Sequence, residues 1–157
     1  MNLIGKTTIH PVLFYTGKIT GYMIWLISLA TFLGYEIFGK QSNEVLMILS
    51  YILFGVALIV STLSMINLGR SATLGLPTEE TEFKTGGLYK ISRNPMYLGF
   101  GLLTIASIVY NASLVVLIFG VYSLTIYHFI ILGEEKFLEK RFGEKYLAYK
   151  GKVGRYL

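Results

Sequence analysis

The sequence contains no cysteine and no aspartate, and its only histidines are His10 and His128. Without cysteine, disulfides, thiolate metal sites and cysteine nucleophiles are excluded. Two histidines are too few for a typical transition-metal site, so we expect no metal centre. Because aspartate is absent, any acid chemistry must come from the nine glutamates.

Charge is also scarce in this chain. Only 15% of the residues are charged while 54% are hydrophobic, and the mean hydropathy is +0.59. The few charges cluster and leave long uncharged windows, which is typical of transmembrane segments. A length of 157 residues suits one domain. The net charge of +5 is explained by loops beside anionic lipid, so we expect no nucleic-acid partner.

The apolar windows predict an all-α integral membrane fold with four transmembrane helices. Residues 19–38 and 45–68 are each long enough to cross about 30 Å of hydrocarbon, and they form the first two spans. Residues 1–18 are expected to be a cytoplasmic or interfacial lead-in, and residues 69–95 form a long central loop. Loops of this length in a small domain are usually functional or disordered.

The next apolar run predicts a helical hairpin. As one helix, residues 96–132 would extend about 55 Å, too far for a single crossing. Asn111 is the natural turn, so we predict helices over 96–110 and 113–132. Beyond Gly133 the pattern becomes polar and amphipathic, which predicts an interfacial helix ending at Gly143 and one further short turn.

The distribution of basic residues predicts the orientation. With four spans, all but Lys40 of the 14 Lys and Arg residues fall on the side that holds both termini and the central loop. The positive-inside rule therefore places both termini in the cytoplasm. The chain is interpreted as one domain of 1–157, with the first two spans in 1–68 and a cofactor-binding core in 69–157.

The segment 84–99 has the highest density of reactive and conformationally special residues. Gly86 and Gly87 predict a sharp turn. Tyr89, Arg93 and Tyr97 are four residues apart, a spacing that would place their side chains on one side of a helix. Pro95 interrupts this helical spacing. Irregular backbone at a membrane boundary must be covered by protein or a polar cavity. We therefore interpret this segment as the rim of a ligand site.

Three further positions carry ionisable groups near the end of the last span. Glu134 and Glu135 are either a solvated pair at a helix exit or ligands for ribose hydroxyls or an ammonium group. His128 lies on nearly the same helical face as Glu135. It is either a functional residue or a structural residue that hydrogen-bonds to a neighbouring helix. Arg93 is either a functional cation or an anchor to lipid phosphate.

Together, these elements resemble the superfamily of isoprenylcysteine carboxyl methyltransferases and phospholipid methyltransferases, which are integral membrane enzymes. The resemblance spans roughly residues 68–155, and the first two helices add only a compatible helix count. The matching elements are Gly87, Tyr89, Arg93–Gly99, Glu134, Glu135, Leu138, Phe142, Gly143, Tyr146 and Tyr149.

The resemblance implies S-adenosylmethionine as cofactor and a lipophilic methyl acceptor: a prenylcysteine carboxylate, a phospholipid amine or another small lipid-like nucleophile. It implies cofactor contacts from Tyr89, Asn94, Pro95, Tyr97, Gly99, Glu134 and Glu135. We expect Arg93 and His128 to act in catalysis. Physically, tyrosine faces stabilise a sulfonium cation, and methyl transfer requires mainly positioning and exclusion of water.

The sequence departs from the family pattern at two places. Many members have histidine where Asn94 stands, and the prenylcysteine enzymes have an arginine where Ile130 and Ile131 lie here. The second difference weakens the case for a carboxylate acceptor. Two other functions remain open: an NADPH-dependent membrane reductase of the sterol-reductase type, and a non-enzymatic four-helix membrane subunit.

Overall fold

The computed structural model describes residues 7–35, 37–38, 43–69 and 83–157. Within these ranges the architecture is all-α, and the only β-type pairing is an isolated bridge between Ser92 and Gly154. The helices are α1 (Pro11–Phe32), α2 (Glu44–Leu68), α3 (Pro95–Asn111), α4 (Leu114–Phe142) and α5 (Glu144–Lys150), with a short 3₁₀ helix at Gly87–Lys90 before α3. The expected all-α class is confirmed.

Within the part of the chain that the structure describes, three helices are long and apolar enough to cross a membrane: α1, α2 and α4. Helix α3 is apolar but has 17 residues, about 25 Å at 1.5 Å per residue. The protein is therefore a helical membrane protein, and the expected total of four spans stays a prediction. Helix α2 exposes Ile48, Ile52, Ile59 and Ile66, as a lipid-facing helix does.

The first helix begins and ends earlier than expected. The sequence pattern predicted 19–38, whereas α1 covers Pro11–Phe32. Pro11 occupies the first turn, where its missing N–H costs nothing, so the helix starts there. As a result, Lys18 lies inside α1 with its side chain buried. Its assignment to a cytoplasmic or interfacial lead-in, and hence to the cations outside the spans, was wrong.

The second helix and the hairpin follow the prediction closely. Helix α2 begins one residue before the predicted start, with Asn43 Oδ1 accepting from the Leu46 N–H at 2.9 Å. The chain turns between α3 and α4 through Ala112, which adopts a left-handed conformation with φ 45°. Helix α4 continues unbroken to Phe142, and Gly143 ends it with φ 50°, as expected.

The segment before α3 differs from the prediction. Tyr89 lies in the 3₁₀ helix, whereas Tyr97 lies in the first turn of α3, so the two do not share one helix. Pro95 starts α3 and the chain is irregular just before it. The turn at Gly87 is confirmed by its φ of 58°. Most of the predicted central loop, residues 70–82, lies outside the described residues, as do positions 39–42 of the first connection.

Two helix pairs dominate the packing: α2 against α3, and α1 against α4. Polar side chains link the helices across these contacts, as is common in membranes. Ser123 Oγ donates to the Gly17 carbonyl at 2.9 Å, and Asn111 Nδ2 donates to Ser28 Oγ at 2.7 Å. The central apolar cluster contains Phe14, Tyr97, Ile126, Tyr127, Ile130 and Ile131. This packing brings the start of α3 against the second half of α4.

Candidate functional site

Three elements meet at the start of α3. They are the 3₁₀ helix Gly87–Lys90, Pro95 in the first turn of α3, and the C-terminal segment, which is residues 151–157. Asn94 precedes the first helical residue with φ −132° and ψ 51°, and its side chain makes no capping bond to α3. Its backbone N–H instead donates to Ser92 Oγ at 3.1 Å. The Arg93 N–H donates to the Gly154 carbonyl at 2.9 Å. The irregular backbone predicted here is therefore covered by residues that follow α5.

Glu135 on α4 is the centre of a buried polar network. Its Oε1 accepts from Arg93 Nη2 at 3.0 Å and from Asn94 Nδ2 at 3.1 Å, while Oε2 accepts from Arg155 Nη2 at 3.0 Å. Only 4% of Glu135 is exposed. Both carboxylate oxygens are thus occupied by protein donors. The pKa of Arg155 is raised, chiefly by its hydrogen bonds to this carboxylate.

The same network fixes the C-terminal segment. Arg93 Nη1 donates to the Val153 carbonyl at 2.6 Å and to the Lys150 carbonyl at 3.3 Å. Ser92 Oγ and Asn94 Nδ2 both donate to the Arg155 carbonyl, at 3.2 and 3.3 Å. Arg93 therefore ties α3, α4 and the C-terminal segment together.

Glu134 is in a different environment from its neighbour. Its Oε1 accepts a hydrogen bond from the Tyr97 hydroxyl at 2.6 Å. The buried Lys18 interacts electrostatically with it from α1, and the Lys18 Nζ lies 4.2 Å from the centre of the Phe14 ring. Since neighbouring helical residues point about 100° apart, Glu134 faces the α1 side while Glu135 faces the C-terminal segment.

Aromatic side chains lie near Glu134. The Tyr97 ring lies 5.9 Å from that of Tyr127 and 6.2 Å from that of Phe100, measured between centroids. Tyr89 is buried, and its carbonyl accepts from the Tyr149 hydroxyl at 2.6 Å. The pKa of Tyr89 is raised by burial and then by the Glu134 charge, so this phenol stays protonated near the carboxylate.

A second aromatic group anchors the described end of the central loop. Phe83 stacks on Phe142 with centroids 5.0 Å apart and meets Tyr149 edge-on at 5.3 Å. Tyr146 is 1% exposed and lies 5.8 Å from Phe83. Burial raises the pKa of both Tyr146 and Tyr149 to about 12.

His128 lies about two turns before Glu135 on α4. Its Nδ1 is 2.6 Å from the hydroxyl oxygen of Tyr156, and the two rings are nearly parallel, at 28°. Burial raises the pKa of Tyr156. The C-terminal segment therefore reaches both Glu135 and His128.

Gly99 and Pro95 are buried in helix packing. A Cβ at Gly99 would lie 2.9 Å from the Ser61 backbone nitrogen and 3.1 Å from its Cα. Gly99 therefore allows α3 to approach α2 closely, and its expected cofactor contact stays a prediction. Within the described ranges no group of three metal-ligating side chains occurs.

The structure gathers most of the predicted site residues around the start of α3 and the second half of α4. It also adds three residues that the sequence did not single out: Lys18, Arg155 and Tyr156. Sequence reasoning missed the contact of Lys18 with Glu134 because it assigned Lys18 to the lead-in before the first span. Arg155 and Tyr156 match no spacing signal, since only the tertiary fold brings the C-terminal segment onto α4.

A family model described as phospholipid methyltransferase matches residues 45–145. The chain belongs to this family. The matched segment contains all of α2 except its first residue, and the whole of α3 and α4, and so includes the Tyr97–Glu134 pair and Glu135. Membership supports a membrane methyltransferase in general. Comparisons with curated proteins and with solved structures gave no match.

Proposed function

We propose that this family member transfers the methyl group of S-adenosylmethionine to a lipophilic acceptor. The observation that carries the proposal is the pair of adjacent glutamates with separate tasks. Glu135 is saturated by Arg93, Asn94 and Arg155 and stabilises the fold. Glu134 has one tyrosine hydroxyl on one of its oxygens and a cation nearby, so its carboxylate is the better cofactor ligand.

The residues around Glu134 suit this cofactor. Ring faces of tyrosine and phenylalanine stabilise a cation such as a sulfonium, and Tyr97, Tyr127 and Phe100 form such a group. A carboxylate accepts hydrogen bonds from ribose hydroxyls or an ammonium group. When bound, the cofactor supplies an electrophilic methyl group, and the chain's own contribution is to hold it and to exclude water.

We place the cofactor site on the cytoplasmic side together with both termini, following the positive-inside rule. Because Lys18 lies in α1, the cytoplasmic side has one basic residue fewer than expected. The opposite side still has only Lys40 in this assignment, so the charge asymmetry points the same way. Asn94, Pro95 and Gly99 are buried in packing or in the Glu135 network, so we give them positioning roles. Arg93 has the same role through the C-terminal segment.

The first experiment is calorimetric titration of the detergent-solubilised protein with S-adenosylhomocysteine, with NADPH as comparison ligand. We expect saturable binding of S-adenosylhomocysteine alone. NADPH binding alone would favour the reductase alternative. A folded sample that binds neither would overturn the enzymatic proposal and favour the non-enzymatic subunit.

Two matched pairs of variants locate the site. Glu134→Gln and Tyr97→Phe should each weaken S-adenosylhomocysteine binding at least about tenfold, by removing a charge or a hydroxyl. Their controls are Glu139→Gln, which changes a carboxylate in an exposed ion pair, and Tyr35→Phe, at a side chain that is 70% exposed. Equal affinity in all four variants would exclude the Glu134 site.

A further inference from the structure

A cavity of about 230 Å³ lies between α3 and α4. Its apolar walls are formed by Leu98, Gly101, Leu102, Ile105, Leu124 and Ile131. Ile105, one of the lining residues, is 41% exposed on an apolar helix. The cavity is therefore accessible from the side that faces lipid.

Four of the residues that line the cavity carry polar groups: Tyr97, Tyr127, His128 and Tyr156. Tyr97 binds Glu134, the proposed cofactor ligand, so the cavity adjoins the cofactor site. None of the described residues that line the cavity is Lys, Arg or Glu. The lining thus offers hydrogen-bonding groups but no carboxylate and no lysine or arginine side chain.

We propose that this cavity holds the apolar tail of a single-chain amine, and that Tyr156 and His128 bind its nitrogen beside the methyl donor. The inference rests on the proposed function and names its acceptor class. The volume is below the roughly 300–1,000 Å³ of typical ligand pockets, so it suits one chain rather than two acyl chains. A carboxylate acceptor would call for a cation in the lining.

The His128–Tyr156 pair also gives the amine's proton a place to go. An ammonium group must lose a proton before its nitrogen can attack. Tyr156 Oη takes this proton while its own hydroxyl proton passes to His128 Nδ1, 2.6 Å away, and the imidazolium returns it to water. The new N–C bond then forms as the C–S bond breaks with its electron pair left on sulfur, giving a secondary ammonium and S-adenosylhomocysteine.

Photocrosslinking tests the binding site without any turnover. Hexadecylamine that carries a diazirine in its chain is added to the detergent-solubilised full chain and crosslinked, and the labelled peptides are mapped by mass spectrometry. We expect labels in 98–105 and 124–131. Labels confined to other helices would overturn the proposal.

Gly101→Leu should abolish this labelling. A Cβ at Gly101 would lie 3.6 Å from Leu124 Cδ2, which is ordinary contact, so a longer side chain extends into the cavity. The matched control is Gly55→Leu on α2, where a Cβ meets nothing within 4 Å. Equal labelling in both variants would contradict occupancy of the cavity.

Tyr156→Phe separates positioning of the tail from chemistry at the nitrogen. We expect the crosslinked peptides to remain 98–105 and 124–131, because the apolar walls hold the tail, and S-adenosylhomocysteine binding to be unchanged. Methyl transfer to hexadecylamine should fall about 100-fold, since general acid–base assistance contributes about 10²–10⁴-fold. Tyr35→Phe is the control. A wild-type rate in Tyr156→Phe would overturn the role of the pair.

Three outcomes distinguish a failure of this inference from a failure of the proposed function. Binding of S-adenosylhomocysteine without cavity labelling would remove the acceptor assignment alone. Methylation of dioleoyl phosphatidylethanolamine in preference to hexadecylamine, unaffected by Gly101→Leu, would likewise overturn the single-chain claim. Absence of S-adenosylhomocysteine binding would instead remove the function on which the inference rests.

Discussion

Arg155 donates two hydrogen bonds to Glu135, from Nε at 3.1 Å and from Nη2 at 3.0 Å, both to the same carboxylate oxygen. The two residues are 20 positions apart, and between them the chain ends α4, forms α5 and turns back. Arg93 occupies the other oxygen. One buried carboxylate therefore holds the C-terminal segment against the start of α3.

Glu135→Gln is expected to destabilise the protein and release the C-terminal segment. Loss of the charge leaves two guanidinium groups without their counter-ion, and breaking a buried ion pair costs about 3–5 kcal/mol. Because the Arg155 side chain is 33% exposed, we expect about 3 kcal/mol. Thermal unfolding in detergent and the rate of proteolysis near residue 150 measure the effect.

The control for this prediction is Glu139→Gln. Glu139 pairs with Lys150 at 2.9 Å, but both side chains are about 40% exposed. Exposed pairs contribute about 0–1 kcal/mol. Similar losses in the two variants would mean that the Glu135 network contributes no more than a surface ion pair.

Gly99→Ala is expected to disrupt the contact between α2 and α3. The added Cβ would approach the backbone of Ser61, which cannot move away as a flexible side chain can. Overpacking typically costs about 1–3 kcal/mol. Gly55→Ala on α2 has no neighbour to meet and should be neutral or slightly stabilising. Thermal unfolding of the two variants side by side checks this, and a stable Gly99→Ala protein would contradict the close packing.

Lys18 and Glu134 are expected to be energetically coupled across α1 and α4. Removing either charge takes away the opposite charge that acts on the other. A double-mutant cycle with Lys18→Met and Glu134→Gln should give a coupling energy within the range of about 0.5–3 kcal/mol seen for interacting residues. Unfolding free energies of the four proteins provide the cycle, and additive effects would show that the two side chains do not interact.

Stability should fall as the pH rises from about 10 to 12. Tyr146 and Tyr149 have pKa values of about 12 in the folded protein, raised mainly by burial, against about 10 when unfolded. In this window the unfolded chain has lost these protons while the folded chain keeps them. Their contribution is therefore complete below pH 10 and is lost as the pH approaches 12.

The measurement is the melting temperature across this pH range for the wild type and for the Tyr146→Phe, Tyr149→Phe double variant. Lysines also titrate there, so the quantity of interest is the difference between the two proteins. We expect a shallower decline in the double variant. Parallel curves would indicate that both phenols ionise as easily in the folded state as in the unfolded state.

Several elements could be predicted from local pattern alone. The apolar run over α2, the turn near Asn111 and the helix stop at Gly143 depend on neighbouring residues, so the predictions for them are confirmed. The predicted start of α1 was wrong because residues 11–18 were assigned to a cytoplasmic or interfacial lead-in. A buried Lys18 is acceptable within that helix because its ammonium group lies over the Phe14 ring and interacts electrostatically with Glu134.

By itself, the sequence determined the helical membrane class, the family motifs and the presence of two adjacent glutamates. Apolar run length and residue spacing are local properties, and both are visible along the chain. The tertiary structure decided which glutamate is bound by arginines and which faces Tyr97 and Lys18. It also decided that Tyr156 meets His128. Those partners are 20 to more than 100 residues apart in the chain, and only helix packing brings them within hydrogen-bonding or electrostatic range.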